Sequence, residues 1–226
     1  ERDYLLGLTE AEKQEYEEAT GRKFGEKRVS GFGRVNNFLA YPKAARMCKS
    51  LFPNNYLDVA ELRDAERLAA ANEEFFSLLS DEACTERSIL NFIKDKKYYH
   101  IIGSIIWGLS INIGNHGVYL FPEFQLGNSY KADYLLVGKS SGGYEFIFIE
   151  LESPYGNITL KDGQLGAEFR DGISQLEDWK RWLPANYSSF GEIMRKHKNS
   201  ARDLPEEFYI LDMSRFHYVV ISGRRS

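Results

Sequence analysis

Asp133, Glu150 and Glu152 carry the chemistry of this chain, because each interrupts a run that is otherwise apolar. Residues 130–136 read YKADYLL and residues 145–152 read EFIFIELE, with the Gly/Ser-rich break GKSSGG between them. Two apolar runs around such a break predict a β-hairpin. Carboxylates are depleted in strands and costly to bury without a partner. Glu150 and Glu152 are two apart and so share a strand face. Asp133 lies near the start of the first arm and Glu150 near the end of the second, and antiparallel pairing brings those ends together. The expected result is three acids at one end of two adjacent strands. Such a cluster repels itself until a cation or a shared proton relieves it, and a hard divalent metal is the simplest relief. The other reading, a charged surface strand, is weakened by apolar neighbours on both faces: Phe146 and Phe148 on one, Ile147, Ile149 and Leu151 on the other.

The elements that must position these acids follow from the rest of the chain. Thr9 and Glu12 are spaced as a capping box, opening a helix to about Ala19. Residues 22–34 hold five Lys/Arg among glycines and two phenylalanines, read as a solvated loop or, functionally, as a phosphate-contacting arm. Asn36 to Leu51 and Asp58 to Leu79 have helical patterning, broken by Pro53-Asn54-Asn55. Residues 1–80 carry no chemical motif and are expected to form a helical appendage, with the functional unit spanning 81–226. Thr85 is an N-cap candidate for a helix carrying Ile89, Leu90, Phe92 and Ile93, with Glu86 in its dipole-favoured first turn. Residues 101–113 fit helix or strand equally. Residues 118–126 read as a strand that Pro122 makes an edge or a bulge, and Glu123 is a fourth acid on it. After the hairpin, a loop carrying Lys161 leads to an amphipathic helix from Ala167 to Leu183, stopped by Pro184. Residues 192–206 are expected to be a surface excursion, and Tyr209–Leu211 and Tyr218–Ser222 short strands. The sum is an α/β (α+β) fold, a mixed sheet with helices on its faces.

Composition narrows the function. The chain has 226 residues with a formal net charge of −4, so nucleic acid, if bound, must be held by local patches rather than a global basic field. The two cysteines, Cys48 and Cys84, form no CxxC, and the four histidines show no ligand-like spacing. Zinc and a disulfide framework are therefore not expected, and a reducing cytoplasm suits the chain. No signal peptide or membrane-length apolar run is present. The chain begins at Glu1 rather than Met and ends just after an apolar run, as expected of a fragment.

A phosphodiester is cleaved when a metal-activated water attacks phosphorus and charge on the leaving oxygen is stabilised. Strand-borne oxygen ligands suit that task, with a lysine near the phosphate and a glutamine one helix away. Lys131-Ala132-Asp133, Ile149-Glu150-Leu151-Glu152 and Gln175-Leu176-Glu177-Asp178-Trp179 together resemble the PD-(D/E)xK nuclease superfamily, which has a restriction-endonuclease-like fold. More narrowly, the chain is similar to the Shedu anti-phage nuclease family. FPEFQLG, the Glu-Ser-Pro after the Glu strand, the Lys-Asp-Gly loop and the terminal Val-Val-Ile-Ser-Gly-Arg-Arg carry that likeness, over roughly Glu86 to Arg225. The resemblance implies a cytoplasmic, homo-oligomeric endonuclease in phage defence, using Mg²⁺ or Mn²⁺ on DNA, with RNA left open. It implies Asp133, Glu150 and Glu86 as metal ligands and Gln175 as the helix glutamine, with Trp179 its aromatic partner. Glu152 is a departure, since the superfamily pattern has lysine there; Lys161 and Lys131 are the candidates to replace it. Two other readings stand beside this one. Glu152 favours a nuclease fold without catalysis, serving to bind nucleic acid or to assemble. A glycosidase with paired acids is disfavoured because Glu150 and Glu152 lie on one strand face rather than across a cleft.

Overall fold

The computed structural model describes residues 7–20, 41–57, 64–109, 111, 113 and 117–223. The basic stretch 22–34 lies outside the described residues. The first helix, α1 (Glu10–Thr20), opens on its capping box: the Thr9 N–H donates to Glu12 Oε2 at 2.7 Å and the Glu12 N–H to Thr9 Oγ1 at 3.2 Å. It packs through Tyr16 on Ala44 and Ala45 of α2 (Pro42–Lys49). In α3 (Ala65–Ser80), Asp64 accepts from the Arg67 N–H at 3.0 Å. Thr85 caps α4 (Glu86–Lys96), with Ser88 as its reciprocal partner. The ambiguous segment after it forms two single-turn helices, α5 (His100–Gly103) and α6 (Ile105–Gly108).

Four strands form one sheet in the order β1 (Val118–Leu126), β2 (Tyr130–Ser140), β3 (Gly143–Leu151) and β4 (Phe216–Ile221). The first three make an antiparallel meander, and β4 joins β3 in parallel after a helical crossover. That crossover is α7 (Ala167–Ala185) followed by α8 (Tyr187–His197). One sheet face packs Ile89, Leu90, Ile93, Ile102 and Ile106 onto Leu120, Leu136, Ile147 and Ile149. The other carries an aromatic core in which Phe146, Phe148 and Phe216 meet Trp179, Phe190 and Phe208. Leu51 and Phe52 enter that aromatic core, Phe52 meeting Tyr119, Phe121 and Phe208 edge-on. The α+β class expected from the sequence is the observed one.

Two expectations are corrected. Residues 192–206 are a surface excursion only from Lys198 onward, where the chain leaves the helix and residues 200–203 are exposed; residues 192–197 belong to α8. Tyr187, Phe190, Gly191 and Met194 recur at helical spacing and are buried, so the basic run Arg195-Lys196-His197 is the last turn of α8, where cations suit the helix dipole. Tyr209–Leu211 is not a strand: it follows the 3₁₀ turn Glu206–Phe208, which inserts only Phe208 into the core and leaves Ile210 59% exposed. Pro184 falls inside the last turn of α7, which runs to Ala185.

The outer edge of β1 is closed over its first half. Tyr56 bridges Tyr119, the Leu57 N–H donates to the Val118 carbonyl at 2.9 Å, and Asn55 Nδ2 donates to the Leu120 carbonyl at 2.9 Å. Pro122 follows and offers no N–H. Among the described residues no helix is long and apolar enough to cross a membrane.

Candidate functional site

The β2–β3 ladder runs from Ser140↔Gly143 to Tyr134↔Ile149. One step further, the same register sets Asp133 opposite Glu150. There the ladder bond is replaced by a side chain: the Leu151 N–H donates to Asp133 Oδ2 at 2.8 Å. On its other side, Asp133 faces Glu123 between the pairs Pro122↔Tyr134 and Phe124↔Ala132. Asp133 thus sits where regular pairing lapses toward both neighbours, and its carboxylate fills the opening.

Asp133 and Glu150 are each only 7% exposed. Among the described residues Glu150 Oε2 is buried without a hydrogen-bond partner, and a buried carboxylate oxygen of this kind calls for a water, a proton or an ion. Burial, then the charges of Asp133, Glu152 and Glu86, push the Glu150 carboxyl up to about 8. Burial, then Glu86, Asp171, Glu168 and Asp133, raise Glu152 to about 7. Asp133 rises to about 6, again chiefly through burial, with the Leu151 N–H, Lys131 and Arg87 pulling it back. Glu86 acts on all three of these carboxyls, arriving from the first turn of α4 on the other face of the sheet from α7.

Gly172 of α7 makes room for Glu152: a Cβ there would lie 2.7 Å from Glu152 Oε1 and 3.0 Å from Val220 Cγ1. Gln175 follows one turn later on the same helix, half-buried. Lys161 stands in the exposed turn Leu160–Gly163 on the loop into α7, where Gly163 takes a φ of +83°. Among the described residues Lys161 makes no hydrogen bond or ion pair. The cations felt at Asp133 are instead Lys131 and Arg87. Sequence reasoning overlooked Arg87, Glu168 and Asp171. Glu168 and Asp171 lie seven and four residues before Gln175, a spacing that places all three on one helix face, so the signal was present.

The chemistry of the donors fits a hard divalent cation: all are carboxylates, mutually repelling, and one oxygen is buried without a partner. Among the described residues, however, no three Asp, Glu, His or Cys side chains already converge closely enough to hold a metal ion as they stand.

A family model described as the Shedu protein SduA, C-terminal, matches residues 83–226. That span takes in all four strands, α4 with Glu86, and α7 with Gln175. The chain belongs to the Shedu family. Membership sets it among defence-system proteins, and the match begins just ahead of Thr85, the cap that fixes Glu86. No curated protein and no solved structure matches the chain. The Shedu match is thus a finding about sequence, and the acid cluster at the opening of the sheet is reached from geometry independently of it.

Proposed function

We propose that this Shedu protein is a metal-dependent nuclease that hydrolyses phosphodiester bonds of DNA in defence against phage. The observation that supports this best is the opposition of buried Asp133 and Glu150 at the end of the β2–β3 ladder, with Glu150 Oε2 unpartnered. Asp133 and Glu150 would hold Mg²⁺ or Mn²⁺, with Glu86 completing the set. The cation, when bound, supplies Lewis acidity toward a phosphoryl oxygen.

The remaining work falls to the protein's own groups. The Leu151 N–H ties down Asp133 Oδ2 and leaves Oδ1 to serve as a ligand. Glu152, with its carboxyl raised to about 7, is suited to take a proton from the attacking water near neutrality. Gln175 orients that water from α7. The positive charge near the phosphate, which the superfamily supplies from the position Glu152 occupies, falls to Lys161 or Lys131. A cytoplasmic homo-oligomer acting on DNA completes the reading.

Two measurements test it. Adding Mg²⁺ or Mn²⁺ should raise the melting temperature, since a ligand bound only by the folded state stabilises it, and Asp133→Asn should abolish the rise; an equal rise in both proteins removes the metal site. In cleavage assays, loss of the assisting lysine should cost roughly a hundred- to a thousandfold in rate. Lys161→Ala and Lys131→Ala compared under the same conditions assign the role to whichever variant shows that loss.

A second reading is favoured by two particular observations: glutamate stands at position 152, and among the described residues no three carboxylates converge as the site stands. On it, the fold binds nucleic acid or assembles without cutting. Metal-independent DNA binding with no cleavage under Mg²⁺, Mn²⁺ or Ca²⁺ would establish it.

A further inference from the structure

Glu123 is one of two described non-glycine residues with positive φ, at +49°. That conformation is strained for a residue with a Cβ and persists where surrounding structure enforces it. Its effect can be traced in the packing. Before it, Tyr119 and Phe121 of β1 join the aromatic core; after it, Phe124 and Leu126 join the same core, so the alternation of faces is reset at this residue. Strand β2 resets at the facing position, with Val137 and Leu135 on one side of Asp133 and Ala132 on the other all entering that core.

The carboxylate held this way is surrounded by cations. Lys131 Nζ donates to Glu123 Oε1 at 2.8 Å, Lys94 Nζ lies 3.9 Å from Oε2, and an Arg87 guanidinium nitrogen lies 4.0 Å from Oε1. Only the first is a hydrogen bond; the other two distances are too long, so the donors of Arg87 and Lys94 remain available. Their side chains are 62% and 66% exposed. Three positive charges face the Glu123 carboxylate, and two of them, Lys131 and Arg87, also act on Asp133. Two of the cations also reach the acid cluster, Arg87 and Lys131 both acting on Asp133, while Lys94 lies two turns along α4 from Arg87. On the other side of Glu123 an open groove of about 750 Å³ runs between β1 and α8, reaching Ile193 and Lys196. It leaves room for chain beyond the seat.

We propose that Arg87, Lys94 and Lys131, gathered on the strained Glu123, form a seat for a backbone phosphate of the nucleic acid, adjacent to the bond to be cut. Glu123 occupies the seat when it is empty. It keeps three flexible cationic side chains oriented and yields to the phosphate, whose oxygens accept from the Arg87 fork and from the two ammonium groups. Exposed ion pairs of this kind are individually weak, which lets the exchange proceed readily. The proposal rests on the reading that this Shedu chain acts on nucleic acid, but not on catalysis.

The test measures binding of a short fluorescent DNA duplex across a salt series, with Asp133→Asn in every protein so that nothing is cut. Replacing Arg87, Lys94 and Lys131 by Gln should weaken binding and lower the slope of log K against log salt by about one per cation engaged. Adding Glu123→Gln instead should tighten binding roughly two- to fivefold. Melting temperatures check that the variants fold, and the three single substitutions replace the triple one if it does not. An unchanged slope in the charge-removal variants overturns the seat even if the wild type cleaves DNA. Binding by the Asp133→Asn protein, weakened in the charge-removal variants with the predicted slope losses, sustains it even if the wild type cleaves nothing, which would remove only the nuclease. Inorganic phosphate is titrated separately as competitor. If phosphate binds through these three residues while duplex does not bind at all, the seat serves a free anion and the proposal fails.

Discussion

Glu150 is a carboxylate that the fold disfavours in its charged form. Its carboxyl is raised to about 8, Glu152 to about 7 and Asp133 to about 6, each chiefly by burial and then by neighbouring acids. In the unfolded chain the same groups titrate near 4. Between about pH 4 and pH 8 these three carboxyls therefore hold more protons in the folded protein than in the unfolded one, and their contribution makes stability fall as pH rises through that window, against a smaller opposite contribution from His197, whose imidazole burial holds below its usual value. After allowance for relaxation and solvent, the loss is on the order of 2 kcal/mol, or roughly 4–8 °C in melting temperature for a chain of this size. Thermal unfolding at pH 5, 6, 7 and 8 in chelator should show the decline. Glu150→Gln, which keeps the shape and removes the charge, should flatten most of it. A wild-type curve that stays level from pH 5 to 8 would mean Glu150 ionises at no cost, and the argument from self-repulsion would lose its ground.

The helix α7 reaches the site through one residue that is nearly absent, Gly172. A methyl group there meets Glu152 and Val220. Alanine normally improves a helix by up to about 1 kcal/mol over glycine, whereas crowding a packed position costs about 1–3 kcal/mol. Gly172→Ala alone should therefore destabilise by about 1 kcal/mol in urea unfolding, and the same change in a Glu152→Ala background should be neutral or stabilising. Additive effects would show that Glu152 does not lie under this helix. The hairpin that supports the site could be read from the sequence, because alternating apolar residues around a Gly/Ser break leave little else to form, and the position of Asp133 against Glu150 followed from it. Helix α8 could not. Its Ser188-Ser189 and Gly191 are poor helix formers and its basic end looks solvated, while the burial of Phe190 and Met194 is supplied by a sheet distant in sequence. Nor could the backbone at Glu123. Pro122 marked an irregularity, yet no property of glutamate announces a left-handed conformation. The acids Glu168 and Asp171 were legible by spacing, but their meaning depends on Glu152 lying beneath α7.

Viewed whole, the molecule is a sheet clamped between two layers, with segment 41–57 fastened into one of them. Phe52 is fully buried among Tyr119, Phe121 and Phe208. Removing so large a ring from a packed core costs about 3–5 kcal/mol, a large share of the 5–15 kcal/mol typical of a domain. Phe52→Ala should lower the unfolding midpoint of the sheet as a single transition, read by tryptophan fluorescence with Trp107 and Trp182 replaced by Phe so that Trp179 alone reports. A separate early transition, leaving the Trp179 signal unchanged, would mean that the segment and the sheet unfold independently. The same segment has a second effect through its contact with β1. Edge strands are the surfaces by which sheets of different molecules add to one another. Here successive outward positions are closed in turn: the carbonyl of Val118 by Leu57, that of Leu120 by Asn55, and the donor at Pro122 by its absence. The first half of β1 is therefore closed to a strand from a second molecule, and the segment that completes the aromatic core also guards the sheet's margin.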